Sequence, residues 1–299
     1  MKSRNLLIVI LAAIAALSLA ACAPSEPALG TPENPIVFSF VPSQDAEQVL
    51  ANANAITDIL SEITGLSMRS EVPTSFVGAI EAMCAGEAHV GALNTFSYVL
   101  ASERGCADVA LVSIRFGSGT YGGQIIVRAD SGITSVAQLE GTTFCRPDPL
   151  STSGWIIPSI ALRAEGLNPD TDIEILDAGG HSGVVRSVYN GECAGGATFT
   201  DARSGVASEY PDVNEVVVVI VESPPIPNDT ISIIPSVPAE IREQIVAALE
   251  AMTDDPEQLE VLAALYSWED LQRVDNSFYD PFRQVLQSAG VDVATFVNP

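Results

Sequence analysis

Along most of the chain, short blocks of consecutive apolar residues alternate with longer stretches whose apolar positions recur every three to four residues. Residues 36–41, Ile-Val-Phe-Ser-Phe-Val, read as a buried strand closed by Pro42-Ser43-Gln44-Asp45, and the next stretch predicts a helix over 46–64 that Gly65 stops. A strand over 66–72, a helix over 75–85 and a short strand over 90–93 follow, then Asn94-Thr95-Phe96-Ser97-Tyr98 opens another helix. Further strands fall at 109–116 and 123–127. The pattern then repeats: a strand near 143–145, a helix over 152–165, a strand over 173–176, a helix over 182–190 and a strand near 195–200. The β-branched run 216–221 and residues 231–234 are the last expected strands, and the remainder reads as helical with breaks at Pro256 and Pro281. Strands alternating with helices of this length predict an α/β fold of open layers built on βαβ units. Two lobes are expected, residues 35–124 with 230–299 as the first and residues 125–229, inserted into it, as the second.

The N-terminus carries a different pattern. A basic start, Met1-Lys2-Ser3-Arg4, precedes an apolar run too short for a comfortable membrane span and then Leu19-Ala20-Ala21-Cys22. This resembles a bacterial lipoprotein signal over residues 1–21, which implies cleavage before Cys22, lipid modification of its thiol and anchoring at the extracytoplasmic face of the cell envelope. An ordinary secretory signal with an incidental cysteine is the other reading. Residues 22–34, rich in proline and glycine, read as a flexible tether. With 47% hydrophobic residues in 299, the chain can bury a sizeable core. Thirty-eight acidic side chains against 13 basic ones make a surface that repels nucleic acid and anionic membrane. An anionic ligand must therefore be held by local donors against an unfavourable long-range field.

Four cysteines remain after Cys22, and in an exported chain they read as disulfides with three possible connectivities. Cys84 with Cys106 and Cys145 with Cys193 are favoured, because each pair then lies inside one lobe and leaves the lobes free to close. Zinc is the competing reading, but no CxxC pair exists and the two histidines are far apart.

The most informative stretch is Asp148-Pro149-Leu150-Ser151-Thr152-Ser153-Gly154-Trp155, where a loop ends in small hydroxyl residues at a helix entrance. The first turn of a helix offers unpartnered N–H groups and partial positive charge, so an oxyanion can be held there without lysine or arginine. Ser151, Thr152 and Ser153 add hydroxyl donors, and Gly154 is expected to let the ligand approach the backbone. Ser151 as an ordinary N-cap is the alternative.

Seven ordered segments stand out: Val41-Pro42-Ser43-Gln44-Asp45; residues 92–101 with Tyr98; Ile126-Val127-Arg128-Ala129-Asp130-Ser131-Gly132-Ile133; Leu139-Glu140-Gly141; residues 148–155 with Pro158; His181 with Val188-Tyr189-Asn190-Gly191-Glu192; and Ile226-Pro227-Asn228-Asp229. Together they resemble one family, the phosphonate, phosphite and phosphate-binding lipoproteins of bacterial ABC importers. The resemblance implies the type II periplasmic-binding-protein fold, with a mixed sheet flanked by helices in each lobe and the ligand cleft between them. It assigns the grip on the oxyanion to Ser151, Thr152 and Ser153, a further contact to His181, and cleft-facing positions to Tyr98 and Tyr121. A protonated His181 would supply a charged donor and tighter binding at mildly acidic pH. The implied partners are a small oxyanion and the permease subunits of the transporter, with the protein acting as a monomer and needing no cofactor, metal or catalytic residue.

The chain departs from the family pattern at His89-Val90, at Trp155, at Asn94-Thr95-Phe96-Ser97 and at Thr200-Asp201-Ala202-Arg203. Thr95, Ser97, Thr200 and Asp201 are thereby candidates for a different distal pocket, with Asp201 able to accept from a protonated oxyanion or an amino group. Three other functions compete: the same fold binding another oxyanion or organophosphate, a ligand sensor, and an exported hydrolase. The last rests on Gly180-His181-Ser182-Gly183-Val184, which resembles a nucleophile elbow without its final glycine, with His89 as the only separate base.

Overall fold

A computed structural model describes residues 27–296; the signal segment and Cys22 lie outside the described residues. The first sheet has six strands in the order β13-β4-β12-β3-β1-β2. Here β1 is Ile36–Phe40, β2 Met68–Glu71, β3 Val90–Leu93, β4 Asp108–Ile114, β12 Thr230–Ile233 and β13 Asp270–Arg273. Strand β1 is buried throughout and lies parallel to both neighbours, with Phe38 opposite Val90 and Ile36 opposite Met68. Strand β12 runs antiparallel to β3 and β4. The second sheet has five strands in the order β10-β6-β9-β7-β8: β6 is Gly123–Arg128, β7 Thr143–Arg146, β8 Glu174–Asp177, β9 Gly195–Phe199 and β10 Val217–Glu222. Between the sheets the chain runs out through β5 (Thr120–Tyr121) and back through β11 (Ile226–Pro227), which pair antiparallel.

Local chemistry sets the helices that matter for the cleft. In α1 (Ala46–Thr64) the Asp45 carboxylate accepts from the amides of Glu47 and Gln48, and Gly65 closes the helix at φ 71°. Its buried residues Val49, Ala53, Ile56 and Leu60 recur at the helical period and pack on the first sheet's core. The first lobe also carries α2 (Phe76–Ala85) and α3 (Thr95–Glu103), and the second carries α4 (Ile157–Ala164) and α5 (His181–Tyr189).

Three sequence expectations change. The helix expected from 152 starts as one wide π turn, Thr152–Ile156, in which the Ile156 amide reaches back to the Ser151 carbonyl, and α-helix begins only at Ile157. Pro158 explains this: an α-helix running through it from 152 would lack one N–H and drive the ring into the Gly154 carbonyl, whereas in a first turn neither cost arises. Second, β13 lies in a region expected to be helical. It is an edge strand of which only Leu271 is fully buried, while Arg273 points outward to pair with Glu243 and Glu250, so its sequence lacks an apolar run. Third, the expected tether is ordered from residue 27 on: Gly30 donates to Asn34 and accepts from Ser67, pinning the segment beside β2. Pro256 and Pro281 do fall at breaks, each in the first turn of a helix.

Cys84 is bonded to Cys106 across 22 residues and Cys145, in β7, to Cys193 across 48, so each bridge stays with the elements of one sheet. A loop of this length raises stability by roughly 2–4 kcal/mol through the unfolded chain. A Cys145→Ala/Cys193→Ala variant is therefore expected to lose about that much in chemical denaturation while retaining the native circular-dichroism spectrum.

Candidate functional site

Three helix starts converge between the sheets: Asn94 before α3, the π turn before α4, and His181 at the first position of α5. Each start presents the partially positive end of its helix to the same space. The two lobes touch across it. Thr152 Oγ1, from the second lobe, accepts from Asn94 Nδ2 at 2.8 Å and from the Phe96 amide at 2.9 Å. The Asn94 side chain makes no cap bond within its own helix, so the hydroxyl of the opposite lobe caps α3 instead. Asn94 Nδ2 also donates to the Leu150 carbonyl, the Phe76 amide to Asp148, and the His181 amide to the Ser43 carbonyl. Gly180, at φ 142°, packs so closely on Gln44 that a Cβ would stand 3.0 Å from its carbonyl oxygen. These contacts describe a closed cleft.

Behind them lies a cavity of about 30 Å³, two or three times the roughly 10–15 Å³ that one water requires. Ser151, Thr152, Ser153 and His181 line it together with Tyr121, as do Asn94, Arg115 and Asp229, which the sequence reading did not single out as site residues. Among the described residues, no protein acceptor takes the amides of Thr152 and Ser153. The Gly154 amide is taken by Ser151 Oγ at 3.2 Å, and a Cβ on Gly154 would meet the Pro147 ring at 2.3 Å, so this glycine accommodates the loop and not a ligand.

Arg115 is the cation of the cavity and is only 6% exposed. It follows the apolar end of β4, and its guanidinium carbon lies 4.9 Å from the Phe199 ring centre and 5.6 Å from that of Tyr121. Among the described residues its Nε has no partner, and neither does Asn94 Oδ1. Asp229 Oδ2 stands 4.0 Å from the Arg115 guanidinium, too far for a tight ion pair. Burial raises the Asp229 pKa, and Arg115 opposes that shift only in part. Asn228 fixes this corner by donating to the carbonyls of Ser113 and Ser118, on either side of Arg115. Tyr121 lies within hydrogen-bonding reach of Ser153 and Thr95, and its phenol pKa is pushed up by burial and by Asp229.

His181 does not supply the expected charge. Nδ1 shares a 2.7 Å hydrogen bond with Thr198 and Nε2 a 3.4 Å contact with Ser151 Oγ. Burial first, and then the neighbouring Arg115 charge, lower its pKa to about 3, so among the protein groups alone the imidazole is neutral at mildly acidic pH.

The other candidates lie elsewhere. Tyr98 is fully buried in the first lobe, its hydroxyl donating to Asn276 and its ring packed on Tyr279, because α3 turns that face toward the core. Thr95 Oγ1 donates to the Pro227 carbonyl at 2.5 Å, tying α3 to β11. Asp201 is exposed at a left-handed turn, φ 71°, and Ser97, Thr200 and Asp201 are all absent from the cavity wall. His89 Nδ1 accepts the Val37 amide inside the first sheet, so the hydrolase reading loses its base. Arg115 had a legible signal, a charged residue at the end of an apolar strand, where open α/β sheets place their ligands.

Two α/β lobes with a ligand-sized cavity at their junction are the architecture of solute-binding proteins. Residues 38–279 match the family described as ABC transporter, phosphonate, periplasmic substrate-binding protein, and the chain belongs to that family, which consists of binding components and not enzymes. The phosphate-import protein PhnD of Mycolicibacterium smegmatis is 28% identical over 204 residues, 63% of this chain and 63% of that one, so the match spans less than two thirds of that relative. In three dimensions the chain is similar to a binding protein component of an ABC phosphonate transporter from Pseudomonas aeruginosa, with TM-score 0.79, 21% identity, and 85% and 86% of the two chains covered. It is also similar to PhnD1 of Prochlorococcus marinus in complex with methylphosphonate, with TM-score 0.75, 12% identity, and 86% and 98% covered.

The His181 shift has a measurable sign. A ring protonated below about pH 6.5 when unfolded but only near pH 3 when folded removes stability as pH falls through that window. At pH 5 the cost is about 2 kcal/mol. Denaturation at pH 7 and pH 5 is expected to show a loss about 2 kcal/mol smaller in His181→Gln than in the wild type.

Proposed function

We propose that this protein is the solute-binding component of an ABC importer that captures a small phosphorus oxyanion, phosphonate, phosphite or phosphate, between its lobes and delivers it to the permease. The observation that carries this reading is the closed cavity where the free amides of Thr152 and Ser153, the unpartnered Arg115 Nε and the hydroxyls of Ser151 and Tyr121 meet. Its balance of donors suits a tetrahedral anion. Asp229, the carboxylate beside it, suits one that keeps a proton to donate, or takes the proton itself. The methylphosphonate bound by one structural neighbour and the phosphate import named for one sequence relative agree with this class of ligand.

In this reading the paired strands β5 and β11 form the hinge, with residues 35–124 and 230–299 moving as one lobe and 125–229 as the other. The anion docks on the π turn and Arg115 completes its shell as the lobes close. Each hydrogen bond to a charged oxygen in the closed site is worth roughly 1.5–3 kcal/mol, and micromolar affinity needs about 8 kcal/mol. Cys22 would hold the monomer to the membrane by its lipid, next to the permease.

A thermal-shift panel of phosphate, phosphite, methylphosphonate and sulfate is expected to show stabilisation by at least one phosphorus anion and none by sulfate, which keeps no proton at neutral pH. By titration calorimetry, Ser151→Ala/Thr152→Ala is expected to weaken that ligand at least about tenfold with the fold intact. Unchanged affinity would remove these residues from the site.

A further inference from the structure

We infer that Arg115 sets the ligand class: its guanidinium occupies the place beside Asp229, so the cavity admits a compact phosphorus oxyanion and rejects phosphonates that carry an ammonium arm. This rests on the function proposed above and narrows it. Asp229 is the one carboxylate among the described residues that line the cavity, so it is the group an ammonium would have to reach. Arg115 stands there first, 4.0 Å from that carboxylate. Its position is fixed, since the side chain is 7% exposed and is held against the ring faces of Phe199 and Tyr121. A second cation at this point would meet a like charge shielded from water, where repulsion is strong. Space points the same way, because a cavity of about 30 Å³ has little room beyond a small tetrahedral group. The free Nε of Arg115 is directed instead to an oxygen of the bound anion, as a planar guanidinium is suited to do. Specificity then comes from a repulsive element as much as from an attractive one.

Titration calorimetry with the mature protein tests this, using methylphosphonate, phosphate and 2-aminoethylphosphonate as probes on the wild type, Arg115→Ala and Arg115→Lys. The wild type is expected to bind 2-aminoethylphosphonate at least about 100-fold more weakly than the better of the two compact anions. Arg115→Ala is expected to bind that compact anion at least about tenfold more weakly and 2-aminoethylphosphonate at least about tenfold more tightly than the wild type does. Arg115→Lys, which keeps the charge, retains the rejection. Wild-type protein that binds the aminoalkyl compound as tightly as methylphosphonate overturns the inference and leaves the proposed function standing. Wild-type protein that binds none of the three overturns both. A folded Arg115→Ala that keeps the wild-type preference assigns the selectivity to other residues. Should Arg115→Ala fail to fold, the wild-type ratio and the Arg115→Lys ratio still decide.

Discussion

The closed arrangement centres on one shared hydroxyl. Thr152 Oγ1 accepts from the Asn94 amide group and from the backbone of Phe96, so a residue of one lobe completes the first turn of a helix in the other. If the lobes part, both donors turn to water. Closing therefore exchanges hydrogen bonds of similar strength, with a net gain of only about 0.5–1.5 kcal/mol each. Leu150, Asp148 and Ser43 accept across the cleft in the same way, so closure is a handful of such exchanges to which a bound anion adds its own bonds. The Gly180–Gln44 backbone contact adds fit without a large energy, since removing the side chain is what lets the surfaces meet.

Charge is handled at two distances. The chain carries a formal charge of −25, and at long range that field works against any anion. At physiological salt the field decays over about 8 Å, whereas the groups around the cavity act at contact. Three helix starts, one guanidinium clamped between aromatic rings and a neutral imidazole provide donors without exposing a basic surface. Neutrality suits His181 to that setting: a second buried positive charge beside Arg115 would have to overcome both desolvation and repulsion.

Much of this was legible in the chain before the structure was known. The alternation of apolar blocks and helical periods placed the strands of both sheets other than β13 within a few residues, most plainly β1, β3 and β12, which are buried throughout. β13 was not legible, since an edge strand with Arg273 on its solvent side carries no apolar run. Among the candidate site residues, Ser151, Thr152, Ser153, His181 and Tyr121 were brought to one cavity by local pattern and family likeness. Tyr98, Thr95 and Asp201 stand off the cavity wall for a common reason: which face of a helix or turn points to the cleft is set by packing that a linear pattern does not encode. Arg115 and Asp229 meet only through the pairing of β4 with β12, two strands more than a hundred residues apart in sequence, so their proximity is a property of the topology.

The disulfides have a kinetic meaning. Each one staples elements around a single sheet, and the lobes are otherwise joined through a ribbon of two short strands. In the proposed hinge, deformation would concentrate in that ribbon and the lobes would swing as stiff units. In that reading, a ligand held behind the Thr152 clasp would leave only when a whole lobe swings away, and its escape rate would be capped by the swing itself.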